Sequence, residues 1–161
     1  MNLEELYDRY GAKLFHYLTV KLGSREDAED VLQEVFFRFS RYPVRWRLVR
    51  NAEAFAFRVA HNEAVRFLKS RLRQNPPIQT TPRLREVINA EISGPDEEIK
   101  HALAAALAGL AEEQREVIIL KVFFGLTFKE IASICDLSAN TAASRYRYGI
   151  ARLHSLLEEK A

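Results

Sequence analysis

Residues 110–157, LAEEQREVIILKVFFGLTFKEIASICDLSANTAASRYRYGIARLHSLL, limit the possible folds more than any other stretch of the chain. Thr127-Phe-Lys-Glu130 has capping-box spacing: the threonine hydroxyl can accept from the Glu130 amide while the Glu130 carboxylate reaches back to Thr127. A helix therefore starts here, with Ile131, Ala132 and Ile134 as its buried face. Ala132 is small where a second helix must cross closely. Asp136-Leu137-Ser138 reads as the turn. Aspartate tolerates the left-handed backbone such a turn needs, though less well than glycine, and Leu137 plugs the angle between the helices. Ser138 or Asn140 caps the next helix. On that helix Ala142, Tyr146, Gly149 or Ile150, and Leu153 face inward, while Asn140, Thr141, Ser144, Arg145 and Tyr148 face out. The pattern is a helix-turn-helix whose second helix carries a polar, basic face suited to a DNA major groove. Asn140, Thr141, Ser144 and Arg145 are candidate base or phosphate contacts, and Arg147 and Arg152 reach phosphate or solvent.

Nearly everything else also reads as helix. Leu3, Leu6, Tyr7, Tyr10, Leu14, Tyr17 and Leu18 recur at helical spacing. Gly23-Ser24 ends that helix and starts another, with Ser24 as N-cap and Asp27 at its third position. The second helix buries Ala28, Val31, Leu32, Val35, Phe36 and Phe39 and shows Asp30, Gln33, Glu34 and Phe37 on its other face. Pro43 breaks it, and the loop PVRWRLVRN follows. A third helix is expected from about Ala52 to about Arg73, with Phe55, Val59, Asn62 and Leu68 toward the core and Arg58, His61, Arg66 and Lys69 more exposed. Residues 74–95 hold four of the five prolines and little apolar periodicity. They read as a flexible linker, with a short helix near Leu84 to Ala90. Helices then run from Asp96 to Leu110 and from Glu113 to Phe124. The expected architecture is all-α, with two small helical domains, 1–73 and 96–161, joined by the linker 74–95.

Charge is distributed unevenly. Residues 41–73 carry nine basic groups against two acidic ones, whereas residues 1–40 and 86–116 are each net acidic. A basic centre between acidic stretches suits a phosphate-facing surface and a separate protein-facing one. The one cysteine, Cys135, excludes an intrachain disulfide framework and suits a reducing cytosol. The N-terminal MNLEELYDRY is acidic and amphipathic, unlike a secretory signal. The longest apolar run, Ala102 to Ala111, is far short of the ~20 residues of a membrane helix, so no membrane insertion is expected. His16, His61, His101 and His154 are scattered, no glycine-rich phosphate loop occurs, and no catalytic, metal or cofactor motif is expected.

At this point the chain resembles a known family. LAEEQREVIILKVFFGLTFKEIA followed by NTAASRYRYGIARL is similar to the −35-recognising domain of bacterial sigma factors. DRYGAKLFHYLTVKLGSREDAEDVLQEVFFRF, then FAFRVAHNEAVRFLKSR, is similar to their −10-recognising domain. Short sigma factors of the extracytoplasmic-function group have this two-domain plan. The resemblance implies that the DAEDVLQEVF helix docks on core RNA polymerase through Asp30, Gln33 and Glu34, next to Phe37. It implies that the basic loop and third helix capture and melt the −10 element. Arg45, Trp46, Arg47 and Arg50 are the loop candidates, and Arg58, His61, Asn62, Arg66 and Lys69 the helix candidates. Arginines would hold phosphates, and a flipped base could stack or enter a pocket. Trp46 either stacks on a base or anchors the loop to the core. The −35 surface comprises Asn140, Thr141, Ser144, Arg145, Arg147 and Tyr148.

The expected function is therefore that of a cytoplasmic, non-enzymatic sigma factor whose partners are core RNA polymerase and promoter DNA. The resemblance also implies control by an anti-sigma factor. Two rivals share the same helix-turn-helix: a regulator that binds DNA without polymerase, and a sigma-like decoy that binds polymerase without initiating transcription. The chain departs from the family's common residues at Ala142, Ala143, Asp136, Ala111 and Phe55, and these departures bear on the strength and sequence preference of −35 binding.

Overall fold

The computed structural model describes residues 1–43, 48–71, 80–94 and 96–159. Among them it contains eight α-helices and one π-helical turn, and it divides into two compact units, Met1–Ile78 and Gln79–Ala161.

Three helices, α1 (Leu3–Leu22), α2 (Arg25–Arg41) and α3 (Ala52–Arg71), pack pairwise in the first unit. Local chemistry sets each start. Asn2 and Glu5 form a reciprocal capping box on α1, the Ser24 hydroxyl accepts from the Asp27 amide at 3.2 Å, and the Asn51 side-chain Oδ1 accepts from the Ala54 amide at 3.0 Å. Gly23 ends α1 at φ 71°, a left-handed position that glycine adopts without a Cβ penalty. The core joins Leu6, Leu14, Tyr17, Leu18 and Leu22 of α1 to Ala28, Val31, Val35 and Phe39 of α2 and to Ala56, Phe57, Ala60 and Ala64 of α3. Tyr17 and Phe57 meet edge to face with centroids 5.6 Å apart. Ion pairs tie α3 to its neighbours at each end: Glu53 to Lys13 at 3.0 Å, and Arg71 to Asp27.

The rotation of α3 differs from expectation. Its buried stripe is Ala56, Phe57, Ala60 and Ala64, so Phe55, Val59 and Leu68 are only half-buried and Asn62 is exposed. Three alanines permit close approach to both partner helices, and burying Phe57 outweighs burying the amide of Asn62. The helix also ends at Arg71 rather than Arg73.

The second unit opens with α4 (Thr80–Glu91), a full helix inside the stretch read as a linker. It buries Leu84, Val87 and Ile88, at helical spacing, and packs on α5 (Glu97–Ala108). Pro82 lies in its first turn, where a missing amide hydrogen costs no internal bond. Arg85 ties α4 to α5 by donating to the Glu97 carboxylate and, at 3.2 Å, to the Glu97 carbonyl. Asp96 caps α5, accepting from the Ile99 amide at 2.9 Å.

Helix α6 (Glu112–Ile118) is shorter than expected, because Ile119–Phe123 widen into a π-helical turn. The turn closes at Gly125, φ 67°, and the Leu126 amide donates to the Leu120 carbonyl at 3.1 Å. Ile119, Leu120, Phe124 and Leu126 are all buried as a result. Arg115 donates to the carbonyls of Leu107, Ala108 and Leu110 at 3.2–3.4 Å, closing the C-terminal end of α5. Helices α7 (Phe128–Cys135) and α8 (Ala139–Glu159) complete the unit, with α8 packed on α5, α6 and α7.

Candidate docking and nucleic-acid surfaces

Burial of Val31, Leu32, Val35 and Phe39 turns the opposite face of α2 to solvent. Asp30, Gln33, Glu34 and Phe37 are all exposed there, at the i, i+3, i+4 and i+7 positions of one stripe. Phe37 is 54% exposed, and the Arg41 guanidinium lies 5.7 Å from its ring centroid. Beside the stripe, α1 and α2 enclose a groove of about 440 Å³ lined by Leu3, Tyr7, Phe36, Phe37 and neighbouring polar side chains. Tyr7 is 54% exposed and meets Phe36 edge to face at 5.0 Å. Helical spacing alone put Tyr7 with the core and Phe36 in the buried stripe of α2. The packing of α1 on α2 leaves the tyrosine at the surface. The patch sets acidic groups beside two exposed aromatic rings, a composition able to dock a protein.

The exposed face of α3 carries Arg58, Asn62, Arg66 and Lys69 along one stripe. His61 departs from it: the ring is half-buried, with Nδ1 2.9 Å from the Tyr17 hydroxyl. At the N-terminal end of the stripe, α2 and α3 enclose a cavity of about 370 Å³ lined by Arg38, Phe39, Tyr42, Phe55, Arg58, Val59 and Asn62. Aromatic walls, two guanidiniums and one amide form a chemical set able to stack a base and hydrogen-bond its edge. The half-burial of Phe55 and Val59 thus lines a cavity and is not a packing failure. Arg38, Tyr42 and Phe55 were not expected as site residues, since each reads locally as a helix-face or core position. Arg50 is exposed, and Arg45, Trp46 and Arg47 lie outside the described residues.

In the second unit the turn chemistry is as the residues suggest. Thr127 accepts from the Glu130 amide at 3.1 Å, and the Glu130 carboxylate accepts from the Thr127 amide at 3.0 Å. Asp136 takes the left-handed conformation at φ 56°, ψ 54°. Of the two candidate caps, Ser138 serves α8, accepting from the Thr141 amide at 3.0 Å and donating to the Thr141 hydroxyl at 2.8 Å. Ala142 and Gly149 are buried against the rest of the unit. A Cβ on Gly149 would lie 2.9 Å from Ile118 Cδ1, so the glycine sets how closely α8 crosses α6. Asn140, Thr141, Arg147 and Tyr148 are exposed, and Ser144 and Arg145 partly so. The Arg147 guanidinium lies 5.3 Å from the Tyr148 ring centroid, a pairing that orders two long side chains on the outer face. Among the described residues no helix is long and apolar enough to cross a membrane.

Comparison with known proteins assigns a family to each half of the chain. Residues 6–74 match the family model of Sigma-70 region 2, and residues 100–153 match that of Sigma-70, region 4. The chain is 30% identical to the ECF RNA polymerase sigma factor SigL of Mycobacterium tuberculosis, over 98% of this chain and 89% of that protein. It is 25% identical to the RNA polymerase sigma factor SigZ of Bacillus subtilis, over 98% and 88%. It is 28% identical to the ECF RNA polymerase sigma-E factor of Escherichia coli K12, over 74% and 68%. Two solved structures share the fold at 22% identity. One is the sigma factor RpoE in complex with the anti-sigma factor NepR from Bartonella quintana (TM-score 0.69, 96% of both chains). The other is CnrH in complex with the cytosolic domain of CnrY (TM-score 0.70, 99% of this chain and 89% of that one).

Proposed function

The chain belongs to the extracytoplasmic-function group of the sigma-70 family of RNA polymerase sigma factors, and from that premise we propose how its surfaces divide the work of starting transcription. A sigma factor of this group binds core RNA polymerase and directs it to promoters. The acidic and aromatic stripe Asp30, Gln33, Glu34 and Phe37 docks on core polymerase, and Tyr7 extends the stripe across the adjoining groove. The exposed α3 stripe Arg58, Asn62, Arg66 and Lys69, with Arg50 and the loop residues Arg45, Trp46 and Arg47, takes the −10 strand. His61 supports that face through Tyr17 rather than reaching the strand. Helix α8 reads the −35 element through Asn140, Thr141, Ser144 and Arg145, with Arg147 and Tyr148 beside the backbone.

The cavity lined by Arg38, Tyr42, Phe55, Arg58 and Asn62 carries this reading most strongly. A solvated helix face has no need of a pocket walled by aromatics and guanidiniums, whereas a base taken out of the stack needs both. Phosphate contacts by the flanking arginines would supply affinity, and the pocket would supply the preference for one base over another.

The domain division follows the same logic. Residues 1–73 serve polymerase and the −10 element, and residues 96–161 serve the −35 element. Helix α4 travels with the second group, which shortens the connecting segment. The protein acts in the cytoplasm, without a cofactor and without catalysing a reaction of its own. An anti-sigma factor controls it by covering the exposed aromatics Tyr7 and Phe37. The two structural relatives, each held by such a partner or by a partner's cytosolic domain, support that part of the proposal.

The test is transcription in vitro: purified protein with sigma-free core polymerase on fragmented host DNA, with the 5′ ends of the RNA sequenced. Discrete starts sharing paired upstream elements are expected. An active core that yields no starts would overturn the initiating role, and a core-binding assay would then separate a decoy from a free-standing DNA-binding regulator.

A further inference from the structure

Glu63 is the buried carboxylate among the described residues of the first unit, with its side chain 8% exposed. Burying a carboxylate is unfavourable unless cations meet it, and an apolar side chain of similar size would usually serve stability as well or better. The cations that meet Glu63 come from two helices. Its Oε1 lies 2.7 Å from Arg38 Nε of α2 and 3.4 Å from Arg66 NH1 of α3 itself. The Arg38 Nε approaches off the axis of its N–H, so the contact is an ion pair rather than a directed hydrogen bond. Glu34 of the outer α2 stripe is the weaker competitor for the same nitrogen, at 3.8 Å.

The partners of Glu63 belong to the nucleic-acid face. Arg38 lines the cavity together with Arg58 and Asn62, and Arg66 stands on the exposed stripe one turn beyond Asn62. Arginine has many rotamers, and fixing one on binding costs entropy unless the protein has already fixed it. The buried carboxylate constrains Arg38 most closely, at 2.7 Å, and draws the more exposed Arg66 toward the same point at 3.4 Å.

We propose that Glu63 is a positioning residue for −10 strand capture: it touches no DNA, and it holds Arg38 at the cavity wall and Arg66 on the stripe in the geometry that discriminates one base sequence from another. The proposal rests on the −10 reading of this face given above. It has a sign that charge counting cannot reproduce. Replacing Glu63 by glutamine makes the face one unit more positive, so electrostatics alone predicts tighter DNA binding with a steeper salt dependence. Loss of positioning predicts weaker discrimination at the same time.

The experiment uses the full chain reconstituted with core polymerase, incubated with a pool of forked DNA whose unpaired strand carries a randomised block at the −10 position. The bound fraction is measured at several salt concentrations and then sequenced. For Glu63→Gln, core affinity equal to wild type is expected, with pool affinity equal or higher. Enrichment of the wild-type preferred sequence should fall roughly five- to tenfold, the scale of one spoiled base contact. Glu63→Asp guards against a folding defect in the glutamine variant. It keeps the charge but draws the carboxylate back by one methylene, so enrichment should fall with no change in the salt slope. Wild-type enrichment in both variants would overturn the positioning role. Absence of any enrichment by the wild-type protein would instead overturn the −10 assignment of the face, and the proposal with it.

Discussion

The recognition helix α8 crosses α6 where there is no room for a side chain, and replacing Gly149 by alanine measures how much that closeness matters. An added Cβ would lie 2.9 Å from Ile118 Cδ1 and 3.2 Å from Gln114 Cβ, inside the roughly 3.5–4.0 Å that carbon atoms prefer. Two effects oppose each other. Alanine in a helix interior is favoured over glycine by about 1 kcal/mol. Overpacking a tight contact costs roughly 1–3 kcal/mol. The Gln114 Cβ is fixed to the α6 backbone, and Ile118 is only 2% exposed, so its methyl tip has no solvent to move into. Overpacking should therefore win, with a net loss of about 1 kcal/mol.

The clash also names its own remedy. Ile118→Val deletes the offending Cδ1, and alone it should cost about 0.5–1.5 kcal/mol for the methyl lost from the core. In the double variant the alanine methyl occupies part of the vacated space. The pair should then be more stable than the sum of the single losses by about 1 kcal/mol, beyond the ~0.5 kcal/mol expected of independent sites. Equilibrium urea unfolding of the full chain, followed by far-ultraviolet circular dichroism, reads all four corners of the cycle. Additive losses, or a Gly149→Ala protein more stable than wild type, would refute the view that this crossing is sterically limited.

Three further outcomes are expected. Asp30→Lys combined with Glu34→Lys should abolish binding to core polymerase while the helical circular dichroism signal is retained; unchanged core affinity would remove the docking assignment from α2. Arg145→Ala should lower initiation at −35-dependent promoters by roughly tenfold, the range of a single lost base contact, and leave core binding intact; equal activity on all templates would end its assigned role. Thr127→Ala removes one half of the capping box on α7 and should cost about 1 kcal/mol in the same urea assay, whereas no loss would mean that packing alone starts that helix.

The local chemistry of this chain was legible residue by residue. The Thr127–Glu130 box, the left-handed Asp136, the Ser24 cap and the outward stripe of Asp30, Gln33, Glu34 and Phe37 all arise from groups within a turn or two of one another. Their spacing in the sequence is their spacing in space. The two cap candidates of α8 were separable only in three dimensions, since Ser138 and Asn140 both suit a helix start and the turn geometry selects the serine. In helix α4, Pro82 and polar flanks mask a compact apolar triplet, Leu84, Val87 and Ile88, whose value appears only once α5 lies against it.

The sequence by itself therefore determined the all-helical class, the capped helix starts at Ser24, Asp96 and Thr127, and the helix-turn-helix with the residues on its outer face. Those follow from hydrogen-bonding groups and apolar periods that act over a few residues. Tertiary structure decided the rotation of α3, which exposes Asn62 and buries Glu63. It decided the packing of α1 on α2 that leaves Tyr7 at the surface, and the π-helical turn that brings Leu120, Phe124 and Leu126 into one core. In each case several faces of a helix were apolar enough to be buried. The choice among them depends on how closely two or three helices can approach one another, a property of the packed set that no single segment carries.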